Sequence, residues 1–108
     1  LDNLVAIVDR NNLQVSNYLD KVMGLEPLAD KWASFGWGVK VLDGHDYHQL
    51  DEAFSSVPFV KGKPSVIIAK TLKGKGIPFA ENKVEWHHKV PSAKEYQELD
   101  ELLGLGDL

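Results

Sequence analysis

Three short apolar runs alternate with three amphipathic stretches along the chain. Leu4-Val5-Ala6-Ile7-Val8 is continuous, rich in β-branched residues and halted by Asp9. That is the pattern of a strand covered on both faces. Residues 39–42 form the second run, stopped by Asp43-Gly44. Ser65-Val66-Ile67-Ile68-Ala69 is the third, entered through Pro64 after the turn-like Lys61-Gly62-Lys63.

The polar intervals carry helical spacing. Pro27 suits the first turn of a helix, Leu25, Leu28, Trp32 and Phe35 recur at the right interval, and Gly36 ends the stretch. A second helix reads from Asp46, with Gln49 three residues on as a capping-box-like pair and Tyr47, Leu50, Ala53, Phe54 and Val57 along one face. A third starts at Ser92, with Glu95 in the same relation; Tyr96, Leu99, Leu102 and Leu103 make its stripe and Gly104 stops it.

Strand–helix–strand–helix–strand–helix predicts an α/β fold, a βαβαβα unit with a parallel sheet, helices on both faces and right-handed crossovers. No internal boundary divides residues 1–108. In such sheets ligands bind beyond the carboxyl ends of the strands, here residues 9–16, 43–45 and 71–91. The last interval is about twenty residues without helix or strand pattern, and connections of that length are usually functional or disordered.

Composition narrows the class without changing the fold. The 108 residues are 44% hydrophobic and 26% charged, with no apolar run near membrane length and no repeat. Twelve Lys+Arg against sixteen Asp+Glu give a net charge of −4, a field that does not attract nucleic acid or anionic lipid. Zero cysteines exclude disulfides and cysteine-type metal sites, and fit a reducing, cytoplasmic setting. The start at Leu1, without methionine and already beside a strand, reads as part of something longer.

Three segments could carry chemistry. Asn11 and the backbone carbonyl of Leu13 are hard oxygen donors suited to Mg²⁺, although a self-satisfied turn is the plainer reading of Asp9-Arg10-Asn11-Asn12. In Lys70-Thr71-Leu72-Lys73-Gly74-Lys75-Gly76 the glycines allow close approach and lysine offers a point charge to phosphate; a solvated basic loop reads equally well, and the segment is not a P-loop. In Glu85-Trp86-His87-His88-Lys89 a histidine can move protons or donate to phosphate oxygens, and adjacent side chains diverge, so one of the pair is expected to enter a site. Zinc is the competing use. His45 and His48, however, span an expected helix start without acidic or cysteine partners at metal spacing, which leaves them as capping or surface residues. Trp32 and Trp37 read as packing residues.

The order of segments resembles the transketolase family over essentially the whole chain. Residues 3–14 look like the end of the thiamine-diphosphate fingerprint, which begins with Gly-Asp-Gly and closes on asparagine after a buried strand. Glu26-Pro27-Leu28-Ala29-Asp30-Lys31-Trp32, Phe35-Gly36-Trp37, Asp43-Gly44-His45-Asp46, Thr71-Leu72-Lys73-Gly74-Lys75-Gly76 and Trp86-His87 follow in the family's order and spacing. The match is to the second half of the N-terminal, cofactor-binding domain or subunit, of the bacterial divided type.

The resemblance implies transfer of a two-carbon ketol unit between sugar phosphates of the pentose phosphate kind, with thiamine diphosphate and Mg²⁺. It implies Asn11 and Leu13 as Mg²⁺ ligands, Lys73 near cofactor or substrate, and His87 as the active-site histidine on diphosphate and substrate oxygens. His88 stands where many relatives have glycine, and Ser16-Asn17 replaces a frequent Asp-Gly. Neither the Gly-Asp-Gly aspartate nor the pyrimidine-binding domain or subunit lies within these residues. The implied partners are therefore the preceding part of the same domain and a pyrimidine-binding partner in an oligomer, without nucleic acid or membrane. The chain alone is expected to be inactive. Alternatives are a non-catalytic assembly module, a related thiamine-diphosphate enzyme such as deoxyxylulose-phosphate synthase, and an unrelated small phosphate-binding protein.

Overall fold

The computed structural model describes residues 1–14, 17–18 and 24–104. Strand β1 (Val5–Arg10) leads into a short antiparallel pair, β2 (Leu13–Gln14) and β3 (Asn17–Tyr18). Helix α1 (Leu28–Ser34), strand β4 (Gly38–Asp43), helix α2 (Tyr47–Ser55), strand β5 (Ser65–Lys70), a 3₁₀ turn (Val84–His87) and helix α3 (Ala93–Leu103) follow.

The main sheet has the order β1-β5-β4 and is parallel throughout, Val5 and Gly38 both lying opposite Ser65 and Arg10 and Asp43 both opposite Lys70. The last strand in sequence is thus the central one. Every residue from Ser65 to Ala69 is buried, so β5 is the strand with both faces covered. The first strand departs from expectation. Although its apolar run is as continuous as that of β5, β1 lies at a sheet edge and alternates, with Ile7 57% exposed. A continuous run shows that both faces can be apolar; neighbours decide whether both are covered.

Pleat alternation assigns the two helices to opposite faces. Leu42, Ile67 and Ala69 pack with Ala53 of α2, joined by Leu50 and Phe59. Val41 and Ile68 point the other way and share a cleft of about 190 Å³ with Leu28 and Ala29 of α1. Helices therefore flank both faces, as the α/β pattern predicts.

The helix starts follow local chemistry. Pro27 sits one position before α1, as its N-cap. The Asp46 carboxylate caps α2 by accepting from the His48 and Gln49 N–H groups, and the Gln49 amide donates back to it. Those bonds, led by the Gln49 N–H, hold the Asp46 carboxyl below its usual pKa. Ser92 and Glu95 form the full reciprocal box on α3. The expected apolar faces are only partly used. Of the α2 set, Ala53 is buried and Leu50 half-buried, while Tyr47 and Phe54 are exposed, because a nine-residue helix presents only one narrow edge to the sheet. Helix α3 has no buried residue; Tyr96, Leu102 and Leu103 face solvent. Trp32 and Trp37 do pack, edge to face at 4.8 Å between ring centres.

Candidate functional site at the strand carboxyl ends

The carboxyl ends of β1, β5 and β4 are tied into one rim. The Thr71 N–H donates to the Arg10 carbonyl at 3.1 Å, and the Gly44 N–H to the Lys70 carbonyl at 2.8 Å. The Thr71 hydroxyl donates to the Asp9 carboxylate. A Cβ on Gly44 would lie 2.5 Å from Thr71 Cγ2 and 3.1 Å from the Lys70 carbonyl oxygen, so only glycine allows this approach. Beside it, the His45 N–H donates to Asp43 Oδ1 at 2.9 Å, and His45 Nε2 accepts from the Leu72 N–H at 2.8 Å.

Asn11 begins the loop after β1. Its Oδ1 accepts from the Leu13 N–H at 3.0 Å, and Asn12 takes the left-handed conformation with φ 63°. This is the self-satisfied turn that the plainer reading predicts. It is also compatible with a cation. An amide oxygen has two lone pairs, and the Leu13 bond uses one. The donor chemistry, neutral hard oxygens, fits Mg²⁺ in kind. In number it is incomplete: among the described residues no three His, Cys, Asp or Glu side chains converge as a metal-holding group.

The long connection after β5 is built, not loose. The Lys73 carbonyl accepts from the Asn82 N–H at 2.8 Å, closing residues 73–82 into a compact loop. Inside it Gly74 has φ 76°, and a Cβ there would stand 2.7 Å from the Ala80 carbonyl oxygen. The Gly76 N–H donates to Glu81 Oε1 at 3.0 Å. Farther along, Trp86 packs on Phe79 with ring centres 5.2 Å apart, and the Lys89 ammonium lies 4.3 Å from the Trp86 ring centre. Lys89 also pairs with Glu95 at 3.1 Å. The Glu95 carboxyl is held below its usual pKa, first by the Ser92 N–H and then by Lys89.

Asn11, Leu13 and Lys73 thus leave the sheet from the neighbouring strands β1 and β5. His87 lies at the end of the 3₁₀ turn, exposed, with its ring edge to face against His88 at 4.5 Å. Among the described residues no hydrogen bond or ion pair joins His87 to Asn11, Leu13 or Lys73. The Ser16 departure lies outside the described residues. Sequence reasoning missed the contact of His45 with Leu72; its only trace was the glycine of Asp43-Gly44-His45, which signals a close approach.

A fold with this rim at the carboxyl ends of a parallel sheet is of the α/β ligand-binding class. Residues 1–107 match the family described as the transketolase, thiamine diphosphate binding domain, and the chain belongs to that family. It is 44% identical over 98 residues to an apulose-4-phosphate transketolase subunit from Phocaeicola vulgatus, covering 91% of this chain and 35% of that protein. It is 42% identical over 88 residues to the 6-deoxy-6-sulfo-D-fructose transketolase subunit SqwG of a Clostridium species, covering 82% and 32%. A crystal structure of transketolase from Campylobacter jejuni superposes with a TM-score of 0.84 at 26% identity, over 95% of this chain and 16% of that one. The chain spans about a third of the length of these two subunits. Among the described residues no helix is long and apolar enough to cross a membrane.

Proposed function

We propose that these residues are the second half of the cofactor-binding domain of a divided, cytoplasmic transketolase that moves a two-carbon ketol unit between sugar phosphates. The observation that supports this best is the tied rim, which sets the Asn11–Leu13 turn beside the loop that bears Lys73. Asn11 Oδ1 and the Leu13 carbonyl would hold Mg²⁺. Lys73 supplies a cation, and His87 a proton donor, for anionic diphosphate and substrate oxygens. Thiamine diphosphate, when bound, supplies the electron sink. The relatives' names as transketolase subunits support a second polypeptide as partner for this chain, and their named sugars, one phosphorylated and one sulfonated, support an anionic ketose as substrate.

Two neutral oxygens compensate little of a divalent charge. The chain by itself is therefore expected neither to hold the cofactor tightly nor to turn over. Native mass spectrometry with Mg²⁺ and thiamine diphosphate tests this. The expected result is cofactor retained only in an assembly heavier than the 12.0 kDa chain and containing a second polypeptide. Ketol transfer by the chain alone, or a two-polypeptide assembly that ignores the cofactor, would overturn it. A second reading, a non-catalytic assembly module, draws on the exposed apolar face of β1. Concentration-dependent association without any response to the cofactor would favour it.

A further inference from the structure

We propose that His45 is a positioning residue for the anion-binding loop, acting through the backbone of Leu72. The assignment rests on the function proposed above and says which group sets Lys73. Among the described residues, residues 71–73 are held by five bonds, and four of them are backbone-to-backbone or local to the strand ends: Thr71 N–H to Arg10, the Thr71 hydroxyl to Asp9, the Lys75 N–H to the Leu72 carbonyl, and the Asn82 N–H to the Lys73 carbonyl. The fifth comes from a different loop and a side chain, the 2.8 Å bond from the Leu72 N–H to His45 Nε2. It is the tie that joins the residue immediately before Lys73 to the turn after β4.

The backbone of His45 is itself fixed from behind. The His45 N–H donates to Asp43 Oδ1, the Asp43 N–H donates to the Gln49 side chain at 3.2 Å, and Gln49 is bound to the α2 cap Asp46. A chain of hydrogen bonds thus runs from the start of α2 to the loop after β5. To accept from an amide, Nε2 must carry no proton, so His45 serves here as an acceptor and neither as a metal ligand nor as a cation. Lys73 is a long, flexible side chain, and holding its backbone reduces the freedom lost when it meets an anion.

The test uses the full chain, isotopically labelled, with Mg²⁺-thiamine diphosphate at millimolar concentration as the probe; rapidly exchanging shifts do not need tight binding. Three variants separate acceptor chemistry from packing. In His45→Gln an amide oxygen can reach the Nε2 position; in His45→Asn it stops near Nδ1; His45→Leu has no acceptor. The wild type and His45→Gln are expected to protect the Leu72 amide from exchange and to shift the Lys73 amide on addition of the probe. In His45→Asn and His45→Leu, Leu72 exchange rises by about tenfold, the scale of one lost hydrogen bond. The Lys73 response falls with it, while Ile67 and Ile68 in β5 stay protected. Leu72 protection that survives His45→Asn, failure of His45→Gln to restore it, or a Lys73 response indifferent to it overturns the assignment alone. A wild-type chain with Leu72 protected but silent to the probe also overturns this assignment alone, because the proposed function expects the cofactor to be held only in the assembly and is tested there by native mass spectrometry.

Discussion

Gly44 has no side chain because none fits. Its missing Cβ would meet Thr71 Cγ2, Ala69 Cβ and the Lys70 carbonyl oxygen, with the shortest distance 2.5 Å. Adding a methyl group must therefore push apart the turn after β4 and the loop after β5. Gly44→Ala is expected to destabilise the chain by about 1–3 kcal/mol, the scale of overpacking. Thr71→Ser removes the Cγ2 yet keeps the hydroxyl for Asp9. The pair Gly44→Ala/Thr71→Ser should recover part of the loss in denaturant unfolding, and only part, since Ala69 and Lys70 still crowd the site. Full additivity of the two changes would show that Thr71 is not the obstacle. This residue-scale packing also explains what the sequence left unread at the site. Asp43-Gly44-His45 can be recognised as a turn, but nothing in the order of residues says which distant loop the turn touches.

At the scale of elements, the period of the apolar pattern located β1, β4 and β5 to within two residues at each end, and the caps located α2 and α3. Coverage was harder to read. Ile7 and Ile67 lie opposite each other in register on the same sheet face, yet Ile67 is 0% exposed under α2 and Ile7 57% exposed beyond it. Both lie inside continuous apolar runs rich in β-branched residues, so a local pattern cannot tell them apart. Truncation can. Ile67→Ala is expected to cost about 2–5 kcal/mol, in the range for deep core sites, and Ile7→Ala less than about 1 kcal/mol. Equal costs in chemical denaturation would mean that β1 is covered in solution. The helix caps add a pH dependence with a definite sign. The Asp46 and Glu95 carboxyls have folded pKa values below their ordinary ones. Their contribution is therefore complete above the ordinary carboxylate range and is lost as pH falls through the depressed values. Helix content followed by circular dichroism should drop in that acidic window. In Asp46→Asn, whose side chain still accepts without titrating, the part due to α2 should be absent.

Across the whole molecule, the radius of gyration is 17.3 Å and the extents are 52 × 36 × 17 Å, whereas a compact domain of this length has a radius of about 13 Å. Two features accompany the extended shape. Helix α3 projects with Tyr96, Leu102 and Leu103 exposed, and the α2 side of the sheet leaves Val5 and Ile7 uncovered next to Leu4. Among the described residues no strand pairs with the outer edge of β1, so unpaired backbone groups adjoin the apolar patch. An edge of that kind, apolar from Leu4 to Val8 and without proline, is a template for association. In the proposed assembly the rest of the enzyme would cover it. In the purified chain, copies of the chain itself are the available cover. Sedimentation equilibrium should then show an average mass that rises above 12.0 kDa with concentration. Ile7→Lys places a charge on the uncovered face without touching Ile67 or the α2 core, and should bring the mass back towards the monomer. If instead Ile7→Lys leaves association unchanged while Leu102→Lys on α3 abolishes it, the contact belongs to the helix and the β1 edge is not the sticky surface. That distinction bears on function as well, because β1 carries Asp9 and leads directly into Asn11. An assembly that covers β1 would stiffen the strand on which half of the proposed cation site stands, and the Asn11 turn should then respond to association; one formed through α3 would leave it untouched.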